Sequence, residues 1–218
     1  MNKYPKYKPS NIPWLGDVPE HWELIRNKTI LSESKKTVGT EYAQYQLLSL
    51  TKGGVIIRDI SSGKGKFPSD FGTYKTVDCG QIIFCLFDFE ETPRTVGLST
   101  HNGMITGAYD VFWIRGINSR FLEYYYISLD DVKALSQLCT GLRKVIGIDT
   151  FLSTFLPLPP EAEQTQIVQY LDEKLQKINK LTETKKKQID CLSLKKVDSQ
   201  KSSICIYRQR NKKRILRK

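Results

Sequence analysis

Three carboxylates, Asp88, Glu90 and Glu91, lie within four residues of one another in "FDFEETPR" (87–94). Such a cluster is what metal-assisted hydrolysis of a phosphodiester needs, because carboxylates hold the cation that activates water. No lysine follows at the spacing that nucleases use, so the cluster reads as a solvated acidic loop, with an independent endonuclease as the competing idea. The two histidines, His21 and His101, are 80 residues apart and neither stands near a cysteine cluster, which argues for ordinary polar residues over zinc ligands. "SSGKGK" (61–66) lacks the spacing of a GxxxxGK[ST] phosphate loop, and no GxGxxG follows a strand-like run. No Asn/Asp-Pro-Pro-aromatic tetrapeptide encodes an amino-methyltransferase site. The chain is therefore expected to hold no catalytic residue, no metal and no cofactor of its own.

The remaining chemistry is charge, and its location matters. The net charge is +11. Residues 1–160 hold 18 Lys and Arg against 16 Asp and Glu, and residues 161–200 hold 8 against 7. The last 18 residues hold 8 cations and no acid. The bulk charge is thus a property of the tail and does not by itself mark the folded part as nucleic-acid binding. No apolar run approaches the roughly 18 residues of a membrane span, and "MNKYPKYKPSNIPW" has no apolar stretch of the signal-peptide kind. Five scattered cysteines without a CxxC pair point to a reduced, cytoplasmic protein.

The elements that would position such charges change character at Pro160. All nine prolines and all fourteen glycines lie in the first 160 residues. That part reads as mixed α/β. "YQLLSL" (45–50), "GVIIRDI" (54–60), "QIIFCLFDF" (81–89) and "AYDVFWIRG" (108–116) are strand-like, the third apolar enough to be buried on both faces. Residues 61–72 and 99–107 carry loop chemistry, and 118–138 has helical spacing with Asn118 or Ser119 as its cap. After Pro160 one long helix is predicted, with Glu161 and Glu163 in a first turn that favours negative charge. Val168, Leu171, Leu175, Ile178, Ile189 and Leu192 fall on one heptad seam. A helix from 161 to about 195 would be about 50 Å long, and its seam implies a partner helix. The boundaries expected are a domain over 1–160, a helix over 161–200, and a basic tail over 201–218 that is either disordered or a phosphate-attracting arm.

Three segments in order resemble a known family. "WLGDVPEHWELI" (14–25), "DFEETPRTVGLSTHNGMITGAY" (88–109) and "FLPLPPEAEQTQIVQYLDEK" (155–174) are similar to segments of the specificity subunits of type I restriction–modification systems. The last is the strongest: there, the closing strand of a target-recognition domain leads through PLPP-x-x-EQ into a spacer helix. The resemblance covers roughly residues 11 to 192. It implies an α+β target-recognition domain followed by a long C-terminal helix that pairs antiparallel in a coiled coil. A complete subunit of the family has two such domains, each reading one half of a split site in double-stranded DNA. Modification subunits, which use S-adenosylmethionine, and restriction subunits, which use ATP and magnesium, dock on this non-catalytic scaffold. This sequence has one domain and one helix, half that plan, and its tail lacks the family's closing Val-Thr-Gly element.

Self-association through the helix would restore two-fold symmetry and impose it on the DNA site. The candidate DNA contacts are Lys52 and Arg58 around the Gly53-Gly54 turn, and Lys64 and Lys66 in the following loop. Arg94 with Thr95 and Arg143 with Lys144 supply further cations, and Ser99, Thr100, His101 and Asn102 further base-edge donors and acceptors. A stand-alone DNA-binding regulator that assembles with no methyltransferase is the alternative.

Overall fold

The structure, a computed structural model, describes residues 4–58 and 71–215, with side-chain surroundings as far as 189. The chain divides into two units, Met1–Val168 and Gln169–Lys218. The strands of the first unit are β1 (Tyr7–Pro9), β2 (Asp17–Pro19), β3 (Glu23–Arg26), β4 (Leu31–Ser34), β5 (Leu48–Thr51) and β6 (Gly54–Ile57). They continue with β7 (Lys75–Val77), β8 (Ile82–Phe84), β9 (Val96–Leu98), β10 (Gly103–Ile105), β11 (Asp110–Ile114) and β12 (Phe155–Leu158). The helices are α1 (Asn27–Ile30), α2 (Ser119–Asp131), α3 (Ile148–Ser153) and α4 (Glu161–Ile215).

At the centre lies a four-stranded antiparallel sheet in the order β4-β11-β8-β9. Alternation along β8 decides what each face holds. Ile82 and Phe84 point, with Phe112 of β11, into a cluster that includes Leu122, Tyr126 and Leu129 of α2 and Phe151 of α3. Ile83, with Val111, points the other way, towards Leu48, Val55, Val77 and Ile105. Both faces of β8 are therefore covered, as its unbroken apolar run implies. The β5–β6 hairpin and the β7–β10 pair make the second layer. Asn27, fully buried, ties the helical side together: its Nδ2 donates to Phe151 O and Thr154 Oγ1, and its Oδ1 accepts from the Tyr126 hydroxyl. Burial of the carrying aromatics and aliphatics stabilises by roughly 1.5–3 kcal/mol each.

Two local readings need correction. Residues 103–105 were expected as loop but form β10, because glycine there allows an approach no side chain would. A Cβ added at Gly103 would lie 2.4 Å from Gln46 O. The helix expected over 118–138 stops at Asp131: Lys133 takes a left-handed conformation (φ 50°), and a 3-10 turn follows over Ala134–Leu138. Lys133 Nζ reaches back to Asp130 Oδ1 and Thr92 O, which holds the break. The cap is as expected, Asn118 Oδ1 accepting from the amides of Arg120 and Phe121.

α4 is a single helix of 55 residues, about 80 Å at 1.5 Å per residue. It continues past the expected limit near 195, so residues 201–215 are helical. Nothing in the sequence after Pro160 interrupts it, since neither proline nor glycine occurs there. Among the described residues, no helix is long and apolar enough to cross a membrane.

Candidate nucleic-acid interface

Glycine seats the β5–β6 hairpin on the sheet. A Cβ at Gly97 of β9 would lie 2.6 Å from Leu50 Cδ1 and 3.0 Å from Val55 Cγ2, and one at Gly103 would lie 2.9 Å from Leu48 Cγ. The inner face of the hairpin is thus Leu48, Leu50 and Val55. Register puts Ser49 opposite Ile56, on the other face. Ile56 is 45% exposed. Lys52 and Gly53 form the two-residue turn, with Thr51 Oγ1 accepting from Gly53 N at 3.2 Å and donating to Gly54 O at 2.9 Å. Lys52 is exposed, and Arg58 follows the second strand with its amide bonded to Leu47 O.

The charge of the first unit is unevenly spread. From residue 35 to 77 the sequence holds seven cations, Lys35, Lys36, Lys52, Arg58, Lys64, Lys66 and Lys75, against three acids, Glu41, Asp59 and Asp70. Lys75 is engaged with Asp110 at 2.9 Å. From residue 78 to 160 there are six cations against nine acids. The hairpin end is the electropositive end of the sequence order.

Other sequence candidates are used internally. Arg94 pairs with Asp130 at 3.0 Å and Asp131 at 2.9 Å. Thr95 is buried, its amide and hydroxyl both donating to the Asp130 carboxylate at 3.2 and 2.5 Å. The PRTVG segment therefore fastens β9 to α2 and provides the Gly97 seat. Ser99 is buried too, its hydroxyl donating to His101 O at 2.7 Å. Asn102 Oδ1 accepts from Cys79 N at 2.7 Å; Thr100 is exposed and His101 half-buried. Lys64, Lys66 and the side chain of Leu192 lie outside the described residues.

Arg143 and Lys144 sit on a turn closed by the Thr140–Val145 bridge. They face the acidic loop: Asp88 Oδ2 accepts from Arg143 Nη2 at 2.6 Å, and Lys144 lies 3.8 Å from Glu90. The backbones are joined as well, Asp88 N to Arg143 O at 2.9 Å. The hydrogen bond from Arg143 holds the Asp88 carboxyl below its ordinary value. One arrangement thus accounts for two of the three clustered carboxylates, Asp88 and Glu90, and for two of the candidate cations.

The start of α4 is fixed by side-chain contacts that the sequence does not display, although Glu163 was expected in its first turn. Glu163 accepts from Tyr4 OH at 3.0 Å and Trp22 Nε1 at 2.9 Å, and is 2.6 Å from His21 Nε2. Burial works against its charge, but the hydrogen bonds from Trp22, His21 and Tyr4 and the proximity of the imidazole hold its pKa below the usual carboxylate value. Gln164, buried, accepts from Asn118 N at 2.8 Å and donates to Pro159 O at 2.8 Å. The signal was present in "PEAEQ", where a motif was recognised without its physical role. Along the seam Val168 and Leu171 are half-buried, whereas Leu175, Ile178 and Ile189 are exposed.

The fold defined in this way is an α+β domain closed by an antiparallel strand pair, β3 with β12, that runs directly into a long helix. No protein-family profile matches the chain, and no curated protein matches it. Solved structures do. A chain from a study of complex assembly and conformational transition in the type I R-M system aligns with TM-score 0.50 and 15% identity, over 76% of this chain and 41% of that one. The HsdS subunit from Thermoanaerobacter tengcongensis aligns with TM-score 0.49 and 16% identity, over 82% of this chain and 42% of that one. The type I restriction–modification S subunit from M. genitalium gives 0.49 and 16%, over 76% and 43%. The first of these likenesses is one of fold, and it agrees with the resemblance read from the three motifs. The chain spans about two fifths of the length of the chains it matches.

Proposed function

We propose that this chain is a sequence-specific DNA-recognition component of a type I restriction–modification complex, with one target-recognition domain and one spacer helix. It reads one half of a split site and presents a scaffold on which modification and restriction subunits assemble in the cytoplasm. The chemistry, with its S-adenosylmethionine, ATP and magnesium, belongs to those subunits. The observation that carries this reading is the junction at residues 155–168. Its PLPPEAEQ segment ends the closing strand and starts α4, as the family resemblance implies, and Glu163 and Gln164 fasten the helix to the domain. A shared fold with a chain of the type I system supports it.

Self-association of two copies through the exposed apolar residues of α4 belongs to the same proposal. It would place two equivalent domains on one duplex and make the site a gapped palindrome. The test is selection of bound duplexes from a randomised pool by the purified full-length chain. Enrichment of a defined motif supports DNA recognition, and two-fold symmetry with a gap supports pairing. A bound fraction indistinguishable from the input pool at every salt concentration contradicts the function.

A further inference from the structure

On the reading that this domain recognises DNA, we infer that the β5–β6 ribbon enters the major groove, with Ser49 and Ile56 towards the base edges and Ile56 selecting a thymine. The ribbon's inner face is used by the core, seated on Gly97 and Gly103, which fixes the outer face in place. On that outer face a hydroxyl and an aliphatic side chain stand directly across from one another, Ser49 opposite Ile56. Ile56 and Ile57 are each 45% exposed, and of the two it is Ile56 that register places on the outer face, whereas Ile57 lies opposite Leu48 on the inner one.

Size and charge choose the occupant. Two paired strands lie about 4.8 Å apart, and a two-stranded ribbon fits the major groove, about 12 Å wide, but not the minor groove, about 6 Å wide. Lys52 at the tip and Arg58 at the base of the ribbon lie in the stretch from 35 to 77, where the sequence has seven cations against three acids. They suit the phosphates on either side of a groove. The competing exposed apolar tip, Leu142, belongs to the turn whose cations, Arg143 and Lys144, are already matched by Asp88 and Glu90.

Chemistry then limits what the two side chains can read. In the major groove an aliphatic group has one apolar partner, the thymine C5-methyl. A serine hydroxyl donates or accepts at the neighbouring base edge and discriminates less by itself. Ile56 is thus the specificity-determining residue of the pair, and Ser49 orients and completes the contact. Sequence reading passed over both because "GVII" reads as a uniformly apolar strand. Alternation through Val55, whose side chain is buried, turns Ile56 outward.

The test uses the full-length chain and a duplex carrying the motif selected from the pool. Each thymine is replaced in turn by deoxyuridine, which removes only the methyl group, and affinity is read by fluorescence anisotropy. One replacement is expected to weaken wild-type binding about fourfold per half-site, the worth of one buried methyl. Ile56→Ala should bind about as weakly and no longer respond to that replacement, whereas Ile56→Val should still respond. Ser49→Ala should relax preference at an adjoining base pair. The inference is overturned if no deoxyuridine replacement alters affinity, if Ile56→Ala responds as strongly as wild type, or if the motif contains no thymine. In each of those cases a selected motif leaves DNA recognition standing. Failure to select any motif removes the functional reading instead.

Discussion

Trp22 and Glu163, separated by 141 residues, are joined by an indole N–H donating to Glu163 Oε2 at 2.9 Å. With Tyr4 and His21 on the same carboxylate, the N-terminal segment clasps the first turn of α4. Glu163→Ala removes the shared acceptor and is expected to destabilise the domain by about 1–3 kcal/mol. Urea unfolding followed by tryptophan fluorescence measures this.

The same clasp has a pH signature. Glu163 is held below its usual value in the folded chain, whereas in the unfolded chain a glutamate titrates near about 4.3. Its contribution is therefore complete above that unfolded value and is lost as pH falls through it towards the lowered folded value. The urea midpoint of the wild type should fall across this range more steeply than that of Glu163→Gln. Equal slopes would show that the clasp does not stabilise through charge.

Gly97 beneath Leu50 gives a third prediction. Alanine there would place its Cβ 2.6 Å from Leu50 Cδ1, so either the hairpin lifts or the side chain moves. A cost of about 1–3 kcal/mol is expected. Hydrogen exchange at the amides of β5 and β6 should quicken more than exchange in β8. Exchange unchanged in the hairpin would mean that the strands are seated elsewhere.

Salt dependence separates the two basic regions. Each phosphate contact contributes about 0.9 to the slope of log affinity against log salt. Lys52→Ala and Arg58→Ala should each flatten the slope by about one unit for all sequences alike. Arg143→Ala should leave it unchanged, since Arg143 is engaged with Asp88. The reverse outcome would move the interface to the 140–145 turn.

The helix seam is tested by charge. Leu175→Glu combined with Ile178→Glu places carboxylates among exposed apolar positions where a partner helix would pack. Sedimentation equilibrium should show a self-associating wild type and a monomeric variant, with the domain's unfolding midpoint unchanged. A wild type that is monomeric at all concentrations contradicts pairing of two copies.

Local pattern made the long-range elements legible. The apolar run of β8, the alternation of β11, the Asn118 cap and the unpunctuated helix after Pro160 are all properties of neighbouring residues, which sequence displays directly. The pairing of Asp88 with Arg143 across 55 residues, and of Arg94 with Asp130 across 36, is not local. Reading cations one by one therefore makes Arg143 and Arg94 candidate DNA contacts without showing the carboxylates that each of them pairs with. The same limit hid β10: "GMI" is too short to read as a strand until Gln46 is seen to lie against Gly103. Glycines 97 and 103 looked like punctuation, whereas each makes room for another strand.

The most direct test of the proposed function is the adenine methylation pattern of cells that express this chain with a type I modification subunit, compared with cells lacking the chain. The account predicts methylation at a two-part, gapped motif, present only when the chain is expressed. Identical patterns in the two cultures would contradict it.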